Sequence, residues 1–174
     1  MKITNKEKAI EILRKDGSKL NDVSEELRND EEVVRAAVEW SGWVLKFASE
    51  HLKDNRELVL TAISDDPSAW EHASERLRDD DELVRYAATK TWYALEHASD
   101  RLKNDWETVH HAVTEMGSAL KFASDRLKND REIVKTAVEN SRDGQAFEYA
   151  SDQLKNDREL VHLAISFSAS ISLC

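Results

Sequence analysis

Apolar residues along the chain fall into two short helical patterns that alternate. In the first they occupy Leu45, Ala48 and Leu52, and again Leu120, Ala123 and Leu127, an i, i+3, i+7 spacing that marks one helix face. In the second they occupy Leu58, Val59, Ala62 and Ile63, another helical stripe. Each pattern predicts a helix of about three turns. The pair recurs as VSEELRNDEEVV from Val23, ASEHLKDNRELV from Ala48, ASERLRDDDELV from Ala73, ASDRLKNDWETV from Ala98, ASDRLKNDREIV from Ala123 and ASDQLKNDRELV from Ala150. The period is 25 residues between the first five copies and 27 before the last, the mark of tandem supersecondary units.

The turns carry their own signals. Asn29, Asp54, Asp79, Asn104, Asn129 and Asn156 each stand three residues before a glutamate (Glu32, Glu57, Glu82, Glu107, Glu132 and Glu159), which predicts a capping box at the start of each second helix. Gly17, Gly42, Gly117, Gly144 and Pro67 share one slot, six residues before the Ala-Ser step, where glycine is expected to end a helix in the left-handed conformation and proline to open the next. Trp92 is the exception in that slot. Thr4 and Glu7 place a leading helix over residues 1–16 in the same frame, with Ala9, Ile12 and Leu13 buried. Hairpins then follow at 17–41, 42–66, 67–91, 92–116, 117–143 and 144–168, in one domain spanning 1–174. An insertion falls at Ser141 to Gln145, and 169–174 is a tail without repeat pattern, expected to cap the last hairpin or to be partly disordered.

Helices of about ten residues are too short to persist alone in water, so they must stack on one another. The expected fold is all-α, a tandem α-hairpin repeat of the α-solenoid or superhelix kind, with no β-strands. The pattern G-x-A-L-x-x-A-S-D-x-L-K-N-D-R-E-x-V-x-x-A-V, with its ALKFASDRLKNDREIV core, closely resembles the repeat of the domain of unknown function family 4116 and covers nearly the whole chain. It does not look like tetratricopeptide or ankyrin sequence. The resemblance implies a helical repeat array and brings no activity, cofactor or catalytic residue with it.

Composition narrows the function classes. With 34% charged residues, a net charge of -10 and a pI near 5.1, the chain is suited to a basic partner and not to nucleic acid or anionic membrane. Cys174 is the only cysteine, and no apolar run approaches the ~20 residues of a membrane span. The expected location is therefore intracellular, soluble and cytoplasmic.

No constellation points to catalysis or to a cofactor. Ser24, Ser49, Ser74, Ser99, Ser124 and Ser151 hold the same place in every copy, which speaks for scaffold and against a nucleophile. His110 and His111 diverge by about 100 degrees on a helix and lack a partner at i+4, so no metal site is expected. Of 35 acidic residues, thirteen fall in turns and caps, which accounts for much of the acidity without nucleic-acid mimicry.

Residues that depart from the repeat are the better candidates. Trp70 takes a leucine slot and is expected in the core. Trp40, Trp43, Tyr93 and Trp106 take slots that hold polar residues in most copies, and so are expected to face solvent and anchor a partner. Copy four concentrates such departures in Trp92, Tyr93, His97, Trp106, His110 and His111, with Thr108 at a core position. The expected function is a non-enzymatic protein- or peptide-binding scaffold; the alternative is an acidic inhibitor that blocks a basic nucleic-acid-binding protein.

Overall fold

The computed structural model describes the backbone of residues 2–141 and 144–171 and the side chains up to Phe167. The described residues form no strand; one isolated bridge joins Ile3 and Val23. The chain divides into two compact units, Met1–Arg78 and Asp79–Cys174. The first holds α1 (Lys6–Leu13), α2 (Glu25–Arg28), α3 (Glu31–Val38), α4 (Glu50–Lys53) and α5 (Arg56–Asp65). The second holds α6 (Asp81–Lys90), α7 (Ala94–His97), α8 (Asp100–Lys103), α9 (Trp106–Glu115), α10 (Asp125–Lys128), α11 (Arg131–Glu139) and α12 (Arg158–Ile171).

The longer helix of each copy is the predicted second helix. Val33, Val34, Ala37 and Val38, or Ile133, Val134, Ala137 and Val138, are fully buried, as the stripe requires. The predicted first helix is instead two pieces. In the second copy a 3-10 helix, Gly42–Phe47, gives way to an extended Ala48-Ser49 step, with ψ of 160° and 157°, before the single turn of α4. Serine causes the break. Its hydroxyl accepts the backbone N–H of the leucine three residues on, for example Leu27 to Ser24 at 3.3 Å, and so caps a new helix. The acidic residue after it sits in the first turn, where it complements the helix dipole.

The caps of the longer helices lie one residue later than the capping-box spacing predicted. Asp30, Asn55, Asp80, Asp105, Asp130 and Asp157 accept the N–H groups of Val33, Leu58, Leu83, Thr108, Ile133 and Leu160, and Asn5 rather than Thr4 caps α1. The displaced residues join neighbouring copies. Ser49, Ser99, Ser124 and Ser151 donate their hydroxyls to Asn29, Asp79, Asn104 and Asn129 at 2.7, 2.5, 2.7 and 2.5 Å, and Ser74 donates likewise to Asp54. Arg76, Arg101 and Arg126 add guanidinium bonds to Asp54, Asp79 and Asn104. The amides of Ser49, Ser74, Ser124 and Ser151 donate in parallel to the carbonyls of Arg28, Lys53, Lys103 and Lys128.

The glycine slot also has a different cause from the one expected. Gly144 alone has a left-handed backbone, at φ 72°. Elsewhere the reason is space. A Cβ on Gly42 or Gly117 would strike the carbonyl of Ala62 or Ala137 in the long helix of the same hairpin, and one on Gly17 would lie 2.5 Å from that of Ala37. Pro67 opens its 3-10 helix as predicted. Trp92 brings a Cβ to the slot, and there the 3-10 helix is replaced by a turn that leads into α7. Trp70 is fully buried, as expected. Of the insertion, Arg142 and Asp143 lie outside the described residues. Of the predicted tail, residues 169–171 continue α12, and 172–174 lie outside the description.

Candidate functional site

The departures from the repeat form separate aromatic groups. In the first unit Trp40 follows α3 and is 43% exposed. Its ring lies over Gly17, where an added Cβ would come within 3.0 Å of it, and it borders a shallow hollow with Arg14, Ala36 and Glu39. Trp43 is half-buried and meets Phe47 edge-on at 5.7 Å. Lys46 places its ammonium 4.4 Å from the Trp43 ring centroid, so part of that face is taken by an internal cation.

The second unit brings Trp92, Tyr93 and His97 together. Trp92 is 39% exposed and stacks on Phe122, with centroids 5.4 Å apart and planes 26° from parallel. Tyr93 meets both Trp92 and His97 edge-on, at 6.0 and 6.4 Å. Lys121 lies 5.7 Å from the Trp92 centroid and 5.2 Å from that of Phe122. Trp92 also walls a cleft of about 400 Å³ lined by Glu115, Met116, Gly117, Ser118, Asn140, Ser141 and Gln145. The cleft thus pairs an exposed indole and a flexible thioether with amide and hydroxyl groups, a mixture suited to a peptide. Phe122 and Lys121 were not singled out in the sequence because they belong to the ordinary repeat; their use here follows from Trp92 reaching across to the next copy.

Trp106 and His110 form another group. Their rings stack at 4.6 Å and 14° from parallel, and both are half-buried rather than fully solvent-facing. The pair sits on the N-terminal part of α9, whereas the Trp92 cleft includes Glu115 and Met116 at its C-terminal end. A ten-residue helix is about 15 Å long, so the candidates of copy four make two surfaces and not one. His111 is half-buried and joins neither stack. Thr108 is fully buried, and its N–H holds the Asp105 carboxyl below the usual range against the opposing effect of burial.

At the starts of α1 and α11 a basic residue pairs forward with the next longer helix, whereas α3 and α6 begin with the acids Glu31 and Asp81. Lys6, the first residue of α1, pairs with Asp30 at 2.8 Å and Glu32 at 3.0 Å, the cap and second residue of α3. Arg131, the first residue of α11, pairs with Asp157 at 3.1 Å and with Glu159 in α12. Trp106 is the first residue of α9, and Asp130 and Glu132 are the corresponding acids of α11. Among the described residues, no group of three or more His, Cys, Asp or Glu is arranged to hold a metal ion. No described helix is long and apolar enough to cross a membrane.

The family model described as domain of unknown function (DUF4116) matches the chain three times, at residues 5–53, 55–103 and 105–143, and covers well over half of it. Each match begins at the cap of a longer helix, Asn5, Asn55 or Asp105, so one family unit spans two of the 25-residue copies. No curated protein matches the chain. No solved structure matches it either.

Proposed function

The chain belongs to the DUF4116 family, and from that premise we propose that it is a non-enzymatic helical-repeat module that binds a protein or peptide. The observation that carries this reading is Trp92. A large indole occupies a slot whose glycine copies have no room for a side chain, remains 39% exposed, and borders the cleft beside Met116 and Asn140. Exposed aromatic surface held rigid by a stack provides contact area at little entropic cost, which is how interface anchors work.

The acidic-inhibitor alternative receives less support. Five of the cap aspartates accept backbone N–H groups, and Asp54 and Asp79 are engaged by serine and arginine. Selection of random dodecapeptides on the immobilised full chain tests the main reading. Enriched peptides should bind the wild type and lose about tenfold or more in affinity to Trp92→Gly, which restores the residue of other copies. Enrichment of nothing, or equal binding to the variant, contradicts it. The inhibitor reading predicts instead that duplex DNA competes for the partner and that binding falls steeply with salt.

A further inference from the structure

The first and last of the longer helices bury opposite halves of the repeat's apolar stripe. That stripe has four positions. In α3, α9 and α11, each packed between two other long helices, all four are buried: Val33, Val34, Ala37 and Val38 in α3, and their equivalents in the others. α1 packs on α3, the helix that follows it, and buries the second and fourth positions, Ala9 and Leu13; its first and third are the exposed Lys8 and the half-buried Ile12. α12 packs on α11, the helix that precedes it, and does the reverse. Leu160 and Ala164 are buried, whereas Val161 is half-buried and Ile165 is 58% exposed. The first and third positions thus face the preceding copy, and the second and fourth face the following one. The 3-10 segments agree: Phe147 is half-buried in the slot where Leu20, Leu45, Trp70, Leu95 and Leu120 are fully buried.

The two faces differ in chemistry. Lys8 stands where Val33, Leu58 and Ile133 are buried, and the exposed Lys19 where Val44, Ala69, Ala94, Ala119 and Ala146 are buried, so ammonium groups close the preceding-side face of the first copy. The following-side face of the last copy has no such closure. From Leu160 to Ile171 the sequence has no Asp, Glu, Lys or Arg, whereas α3, α5, α6, α9 and α11 each carry at least one beyond the corresponding glutamate. The segment expected to cap this hairpin continues α12 as far as Ile171.

We infer that Phe147, Val161 and Ile165 form a self-association face, on which a second copy of this chain stacks through the same three residues. These positions take a following long helix elsewhere in the chain, so the matching occupant is another helix with an apolar stripe. Charge selects a second copy's own α12 as that helix. A chain of net charge -10 repels itself least where it carries no carboxylates, and that is this face. Stacking α1 of another copy here would instead bury Lys8, with no carboxylate on α12 beyond Glu159 to receive it. The contact is therefore isologous and closes at two copies. It goes beyond the peptide-binding reading and does not depend on it: repeat positions that stack copies within one chain here stack them between chains.

The test is sedimentation equilibrium of the full chain between about 1 and about 300 µM. The expected result is a reversible equilibrium of monomer and dimer with no larger species. Ile165→Lys places an ammonium on the face at an exposed position, so it should leave helicity unchanged and weaken dimerisation by about tenfold or more. Gln153→Lys adds the same charge at an exposed position of the same hairpin and should not weaken it. A wild type that stays monomeric throughout, species larger than a dimer, or equal losses in both variants would overturn the inference. A second measurement needs no variant: in an equal mixture of isotope-labelled and unlabelled wild type, intermolecular Overhauser effects should join Ile165 of one copy to Phe147, Val161 or Ile165 of the other. Intermolecular effects that involve α1 and not α12 would overturn it as well.

Discussion

Ser124 carries three interactions on one hydroxyl and one amide. Its Oγ accepts the Leu127 N–H at 3.3 Å and donates to Asn104 at 2.7 Å, while its N–H reaches the Lys103 carbonyl at 2.8 Å. Ser124→Ala keeps the last and loses the others, at a cost of about 1 to 2 kcal/mol, to be read as a lower urea midpoint at unchanged slope. Two copies put aspartate where this acceptor is asparagine. The carboxyls of Asp54 and Asp79 are held below their ordinary value of 3.8 first by the hydroxyls of Ser74 and Ser99, then by Arg76 and Arg101. A carboxyl whose pKa is lower folded than unfolded stabilises the fold above the unfolded value, and that stability is lost as pH falls through the folded one. The double variant Asp54→Asn, Asp79→Asn should therefore lose less stability than wild type between about pH 5 and about pH 2 in urea titrations. A wild-type acid limb no steeper than the variant's would contradict this. At this scale the sequence is ambiguous by one residue, because Asn-Asp, Asp-Asn and Asp-Asp pairs offer two cap-forming residues in succession. The glutamate spacing favoured the first of each pair, whereas backbone geometry uses the second.

The elements of each hairpin meet through positions with little room. Gly117→Ala drives a Cβ into the Ala137 carbonyl of α11 and should cost about 1 to 3 kcal/mol, measured by denaturant unfolding. Trp106→Arg should act in the opposite direction. By completing the pattern of Lys6 and Arg131 it should raise stability by a few tenths to about 1 kcal/mol in the same assay, and an unchanged or lower midpoint would argue that Asp130 and Glu132 are not within its reach. The long helices and the core position of Trp70 were legible from periodicity, since burial on one stripe is what periodicity reports. The split of the first helix was not. Leu45, Ala48 and Leu52 satisfy helical spacing whether the segment is one helix or a 3-10 helix, an extended step and one α-turn, and the capping serine was the signal that separates the two.

For the whole molecule, much of the acidity behind the charge of -10 has structural work to do. Cap aspartates and the Ser-Asx-Arg bonds use it internally. The proposed binding surface was only partly visible in the sequence: departures from the repeat named Trp92, Tyr93 and His97, but not Phe122 or Lys121, ordinary repeat residues that the structure groups with Trp92. The account as a whole holds that repeated residues build the fold and departing residues bind. The most direct measurement is the affinity of one selected peptide for Ser124→Ala and for Trp92→Gly, taken at a temperature where both remain folded, beside their urea midpoints. The account predicts a lowered midpoint with intact affinity for Ser124→Ala, and a midpoint within about 1 kcal/mol of wild type with affinity lost for Trp92→Gly. Intact binding to Trp92→Gly, or loss of binding confined to Ser124→Ala, would contradict it.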